Sequence, residues 1–186
     1  MKNQKVVLIS GACGIIGSSI AEDLNKKGYR LVLIDKNLES LRLLFSNFNS
    51  KECLNLDADI TSSKEIDRCI DAAHKNFGRI DIAIHAAYPK SKGWGTKFED
   101  LEEKYLMEDI NNQLGSAIFF SQRVIRYFLK QGNGNLIHFS SIQGIRAPKF
   151  EHYIGTSMTS PIEYSAIKAG IIAITKYLSK YYKNKN

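Results

Sequence analysis

Ser10-Gly11-Ala12-Cys13-Gly14-Ile15-Ile16-Gly17 decides how this chain folds. A strand-like run, Lys5–Ser10, ends on it, and a helical pattern, Ile15–Lys27, with Ile16, Ile20 and Leu24 among its apolar positions, starts within it. Glycines at such a junction allow a tight turn and let a pyrophosphate approach the backbone, while the helix N-terminus offers unpaired N–H groups and partial positive charge. A glycine triplet alone is often merely a turn; its place between a strand and a helix is what gives it meaning. Gly28 then closes the helix, where a left-handed cap suits a residue without Cβ.

Working outward, short apolar runs alternate with longer helical patterns, the signature of a parallel, doubly wound α/β sheet. The expected elements are a second strand at Arg30–Asp35 and helix at Leu38–Phe48, and a third strand at Glu52–Leu56 with a helix from Ser63 to Phe77. A fourth strand at Asp81–Ala86 precedes a polar loop, Tyr88 to Lys97, and helical patterns at Glu99–Glu108 and Asn111–Gln131. A fifth strand spans Asn135–Ser140, and a last helix Pro161–Tyr182 carries proline in its first turn. The longest irregular stretch, Gln143–Ser160, has the length of a functional loop. No internal repeat, low-complexity segment or interdomain linker stands out.

Asp35 ends the second strand, where a carboxylate accepts hydrogen bonds from adenosine ribose hydroxyls and repels a 2′-phosphate. That favours NAD over NADP, although the adjacent Lys36 softens the preference; a plain helix N-cap is the alternative. Asp59 follows the third strand, where an adenine edge could lie, or caps the next helix. Tyr164 and Lys168 stand four apart and share a helix face, so the ammonium favours the phenolate and brings the phenol's proton exchange nearer neutrality. Spacing alone decides nothing, because it recurs at Tyr88/Lys92 and Tyr181/Lys185. Context singles out Tyr164: small residues on its helix (Ala166, Ala169, Gly170) and a serine pair, Ser140-Ser141, at the preceding strand end. A hydroxyl there can donate to a carbonyl oxygen as charge develops on it, or merely satisfy loop backbone.

Taken together, these motifs resemble the short-chain dehydrogenase/reductase family over essentially the whole length, which implies a Rossmann-like sheet of order 3-2-1-4-5 and an NAD(P)-dependent oxidoreductase that interconverts an alcohol and a ketone or aldehyde. In that family's Ser-x-x-Gly pattern the active serine falls on Ser141, the acid/base on Tyr164, the ribose-holding lysine on Lys168, and the water-holding asparagine on Asn112, with Asn111 as the other candidate. The resemblance further implies cofactor contacts at Gly11, Cys13, Gly14, Ile16, Gly17, Asp35, Asp59, Ile60, Ala86, Ala87, Tyr164 and Lys168. Substrate contacts fall on Tyr88, Ser141, Gln143 and Tyr164, with no metal. The motif after strand four, usually Asn-Asn-Ala-Gly, is here His85-Ala86-Ala87-Tyr88, of which Ala87 alone matches in type.

The sequence departs from the family pattern in three ways. Gly-x-x-Gly-x-x-Gly is more typical of the extended branch containing nucleotide-sugar epimerases. The segment between Ser141 and Tyr164 is longer than usual, and with Ala86-Ala87-Tyr88-Pro89 it resembles a subgroup tied to flagellin modification and nonulosonic-acid sugars. Finally, the family's next strand and Pro-Gly turn have no counterpart before Asn186. The expectation is therefore one NAD(P)-binding domain over residues 1–186, incomplete at its C-terminus. Two readings compete with the enzyme: a truncated, non-catalytic dinucleotide-binding module, and an epimerase- or dehydratase-like fragment. The fifth strand, left as an edge beside an apolar helix face (Ile167, Ile171, Ile172, Ile174), invites a homodimer or homotetramer.

Composition bounds the remaining classes. The net charge is +7, with 26 basic against 19 acidic residues. The C-terminal stretch, with Lys176, Lys180, Lys183, Lys185 and no acid, reads as a solvated helix end rather than a nucleic-acid surface. No apolar run approaches the ~18–20 residues of a membrane span. The start, Met1 to Ile9, mimics a signal peptide too briefly to be one. Cys13, Cys53 and Cys69 lack metal-ligand spacing and read as reduced thiols in a cytoplasmic protein. The expected partner is a small-molecule substrate, with neither nucleic acid nor membrane.

Overall fold

The computed structural model describes residues 4–156, 159–183 and 185. Ser157 and Met158 of the long loop, and Met1 to Asn3 of the signal-like start, lie outside the described residues. The chain divides into two compact units: Met1–Tyr88, Phe119–His138 and Asn184–Asn186 form the first, and Pro89–Ile118 with Phe139–Lys183 the second.

The first unit holds a five-stranded parallel sheet of order β3-β2-β1-β4-β5, as expected. Its strands are β1 (Val6–Ser10), β2 (Arg30–Asp35), β3 (Cys53–Asp57), β4 (Ile82–His85) and β5 (Asn135–His138). Every residue of β1 is buried, which is why Val6-Val7-Leu8-Ile9 runs apolar without alternation: a central parallel strand is covered on both faces. One core joins Val6, Leu8, Val32 and Ile34 of the sheet to Ile66, Cys69, Ile70 and Ala73 of α3 (Ser63–Phe77) and to Phe120, Val124 and Phe128 of α5 (Ser116–Gln131). Helices α1 (Ile15–Lys26) and α2 (Leu38–Leu44) pack on β2.

Polar ties fix the strand starts. Asp81 accepts from Val6 N–H at 2.8 Å and from the Arg79 guanidinium, and the Gln131 amide at the end of α5 brackets Ile80 through both its N–H and its carbonyl. At the other end of the strands a largely buried polar row, half-buried only at His138, crosses the sheet. Ser10 Oγ bonds His85 Nδ1 at 2.8 Å, the His85 ring lies on Phe120 and edge-on to His138, and His138 Nε2 bonds Ser121 Oγ at 2.9 Å. The in-register pairings Ser10 with His85 and His85 with His138 produce this row, since in-register residues of a parallel sheet share a face.

The second unit contains α4 (Glu103–Asp109), a π-helical segment (Ile110–Gly115) that runs on into α5, and α6 (Ile162–Tyr181). Several boundaries differ from the sequence expectation. α2 stops at Leu44 because Phe45 turns inward and is buried, leaving Leu43 and Leu44 exposed. Glu99 and Asp100 belong to a 3-10 turn before α4, and Pro161 is the N-cap of α6 rather than its first turn. On the expected apolar face of α6, Ile167 and Ile171 are buried within this chain, while Ile172 and Ile174 are partly exposed. Among the described residues no helix is long and apolar enough to cross a membrane.

Candidate active site

In the first unit the glycine turn rests directly on backbone. Gly11 has φ +72, and a Cβ there would lie 2.5 Å from Ala87 Cα and 2.6 Å from Ala87 N, so only glycine lets the turn after β1 meet the chain after β4. A Cβ at Gly17 would fall 2.2 Å from Gly11 O, so α1 is held against the same turn. Gly14 is the N-cap of α1 and provides no side-chain cap, while Ile15 and Ile16 beyond it are 92% and 51% exposed. The turn is therefore a cradle that a Cβ would fill, at a helix N-terminus with no side chain over it, as a pyrophosphate site requires.

Asp35 closes this cluster. Its Oδ2 accepts the Cys13 N–H at 3.0 Å, and Ala12 N–H bonds Ile34 O beside it. The cap of α2 is Asn37, which accepts Ser40 N–H, so Asp35 is not the N-cap that its position after β2 also allowed. Burial, reinforced by the Asp35 carboxylate, raises the Cys13 thiol to about 11, which leaves it a neutral, unreactive filler of the turn. Asp59 likewise is not the cap of α3, a role taken by Ser62. It accepts both Thr61 N–H (2.9 Å) and Thr61 Oγ1 (2.7 Å), and the Thr61 backbone bond, helped by Lys36, keeps its carboxyl below the ordinary range. Ile60 is buried, and Ala86 N–H bonds Ser10 O.

The second unit assembles the remaining residues around α6. Past β5, the chain is tied to Lys168 three times. Lys168 Nζ donates to Phe139 O at 3.0 Å, Ser140 Oγ donates to Lys168 O at 2.7 Å, and a Cβ at Gly144 would lie 2.7 Å from Lys168 C. The two serines thus divide their roles: Ser140 is committed to the helix backbone, while Ser141 begins the 3-10 turn Ile142–Gly144 and accepts Gln143 N–H at 3.2 Å. Tyr164 is half-buried, and Lys168 Nζ lies 5.6 Å from its ring centroid, as the four-residue spacing requires. Lys168 is only 8% exposed, and burial pulls its pKa below the usual lysine value. Asn112 sits in the π-helical segment with its carbonyl accepting Ser116 Oγ at 2.5 Å, and Asn111 is exposed. Gln143 Oε1 accepts from Ser160 Oγ at 2.5 Å, bridging the long loop. Tyr88, at the end of the first unit, is 37% exposed.

Three residues that sequence reasoning passed over belong to the second unit. Trp94 stands edge-on to Tyr164, centroids 6.0 Å apart and planes at 87°. Asp109, wholly buried, holds Ser91 through its N–H (2.7 Å) and Oγ (2.6 Å). Glu163, immediately before Tyr164, is 1% exposed with Oε2 unpartnered. Burial, with a smaller contribution from Asp109, raises the Glu163 pKa above the ordinary carboxyl value. Glu163 adjoins the tyrosine motif, and a charged residue at that place was the only signal available.

The Glu163 shift has a testable sign. In the unfolded chain the carboxyl ionises at its ordinary value, so from there up to the raised folded value the native state holds the extra proton and stability falls as pH rises. Glu163→Gln removes this titration. The variant should match the parent near pH 4 and melt higher at pH 7.5, by about 2–4 °C for each kcal/mol recovered. A melting difference independent of pH would refute the assignment.

The family profile described as short chain dehydrogenase matches residues 5–186, and the chain belongs to that family. It is an NAD(P)-dependent oxidoreductase by that membership. Among similar proteins, the post-translational flagellin modification protein A of Campylobacter coli is 38% identical over 191 residues, spanning all of this chain and 74% of that protein. A short-chain dehydrogenase from Leptospira borgpetersenii, solved with bound NAD+, superposes with TM-score 0.82 at 29% identity over 98% of this chain and 67% of the other. One from Bacillus anthracis superposes with TM-score 0.84 at 26% identity over 96% and 68%.

Proposed function

We propose that the chain oxidises or reduces a polar, sugar-derived alcohol or ketone with NAD, using Tyr164 as the proton-exchanging acid/base. The observation that carries this reading is the triple tie between the chain after β5 and Lys168, which sets the Ser141 turn against the helix of Tyr164. The Gly11, Gly14 and Gly17 cradle fits a pyrophosphate, with Cys13, Ile16, Ile60, Ala86 and Ala87 flanking the cofactor and Asp59 at its adenine end. When bound, the nicotinamide supplies the hydride donor or acceptor. Tyr164 exchanges the proton with the substrate oxygen, and Ser141 Oγ donates to that oxygen as charge develops. The desolvated Lys168 ammonium gains most when a phenolate forms beside it, which favours proton release by Tyr164 and return from it. Asn112 holds the water that refills the proton, Lys168 also holds the cofactor ribose, and Tyr88 and Gln143 contact substrate.

Asp35 supports NAD over NADP because a carboxylate there repels a 2′-phosphate. The sugar-derived substrate is supported by the likeness to the flagellin modification protein. We read residues 1–186 as one dinucleotide-binding domain, since the family profile runs across both units, acting in the cytoplasm as a homodimer or homotetramer.

Calorimetric titration with NAD and then NADP tests the cofactor assignment. NAD should bind at least about tenfold tighter, a difference of ~1.4 kcal/mol. A preference for NADP would overturn the role of Asp35, and binding of neither would reduce the glycine cradle to a structural turn.

A further inference from the structure

We propose that Trp94 determines substrate specificity: its indole forms an aromatic wall beside Tyr164 that selects a hydroxylated ring, a pyranose or cyclitol, over an open-chain polyol. The proposal rests on the oxidoreductase reading above and deepens it.

The placement of Trp94 beside the phenol is built, not incidental. Both oxygens of the buried Asp109 carboxylate are spent on Ser91, one on its N–H and one on its hydroxyl. Ser91 Oγ in turn accepts Gly93 N–H at 3.2 Å, and Trp94 N–H reaches Ser91 O. Thr96 closes the turn by donating its N–H (3.2 Å) and Oγ1 (2.6 Å) to Gly93 O. Beneath it, Gly93 lies so close to α4 that a Cβ would stand 2.3 Å from the Tyr105 ring. Burying a carboxylate on neutral hydrogen-bond donors is costly. Here that cost secures the turn that sets the indole edge-on to Tyr164. A ring held this way loses little conformational freedom when a ligand arrives, so its contacts translate into affinity.

The chemistry of the turn narrows the occupant. An indole presents a large flat apolar surface, whereas the turn around it exposes the ammonium-bearing side chains of Lys90, Lys92 and Lys97. A pyranose or cyclitol matches both features, with a face of C–H bonds for the indole and a rim of hydroxyls for the polar groups. An open-chain polyol has the hydroxyls without the flat face, and a steroid alcohol has the flat face without the hydroxyl rim.

Trp94 is the single tryptophan of the chain, so its emission reports binding without turnover. With NAD saturating, myo-inositol and methyl β-D-glucopyranoside should change the emission saturably, while sorbitol and cholate should not. By calorimetry, Trp94→Ala should weaken ring binding about tenfold or more and Trp94→Phe by no more than about threefold, with sorbitol unaffected. Equal binding of sorbitol, a preference for cholate, no ring binding, or ring affinity untouched in Trp94→Ala would each overturn the proposal. NAD affinity, measured in parallel on parent and variants, separates the two readings. Intact NAD binding with unselective ring binding sinks the Trp94 assignment alone, whereas loss of NAD binding in the parent sinks the oxidoreductase reading beneath it.

Discussion

Tyr164→Phe is expected to lower kcat/KM by about 10²–10⁴-fold, the usual worth of a positioned general acid/base, while NAD affinity stays within about twofold and the melting temperature within ~2 °C. The substitution removes one oxygen and keeps the ring, so the edge-on contact with Trp94 and the packing beside Lys168 persist. What disappears is the proton that must move as the carbon changes oxidation state. Steady-state kinetics with a turned-over sugar alcohol, calorimetry with NAD and thermal unfolding together separate chemistry from folding. A variant that turns over as the parent does would remove Tyr164 from the reaction, whatever the rest of the fold does.

Gly11→Ala should have the largest effect on the fold itself. At φ +72 a Cβ costs roughly 1–2 kcal/mol in backbone conformation. Its nearest neighbours are Ala87 Cα at 2.5 Å and Ala87 N at 2.6 Å, main-chain atoms that cannot swing aside, and overpacking of that kind costs roughly another 1–3 kcal/mol. A combined loss of about 3 kcal/mol lowers the melting temperature of a chain this size by about 10 °C. Forcing the turn off Ala87 also spoils the cradle, so NAD binding should weaken at least tenfold. Gly14→Ala is the matched control: its φ is −71 and its closest Cβ contact is Gly11 O at 3.3 Å, so thermal unfolding should shift by no more than ~2 °C. Equal damage at the two positions would mean that glycine content, not the approach to Ala87, holds the turn.

Much of this architecture was legible because it is local. The apolar runs of β1 and β2 and the glycine after α1 each declare themselves within a few residues, and the sheet order follows from the family resemblance that the motifs carry. The helix of Tyr164 and Lys168 was legible for the same reason. What escaped depends on partners distant in sequence. Asp109 follows the expected helix Glu99–Glu108 with nothing to mark it until the structure turns it onto Ser91, and nothing near Trp94 says that its turn will stand beside Tyr164. The π-helical widening at Ile110–Gly115 is equally silent, because its residues fit an ordinary helical pattern. The apolar stripe of α6 is ambiguous in another way, since it looks the same whether a second chain or the same chain covers it: Ile167 and Ile171 are buried within this chain, while Ile172 and Ile174 are partly exposed.

The close approach of Gly144 to Lys168 has a consequence for how such a protein diversifies. The backbone is clamped to α6 just after Ser141 and just before the excursion that runs to Ser160. A change of length or composition beyond that clamp reaches the serine hydroxyl through Gln143, which bonds both Ser141 Oγ and Ser160 Oγ. Residues 145–156 can therefore be recut for a new substrate while Gly144 keeps the serine turn seated on α6.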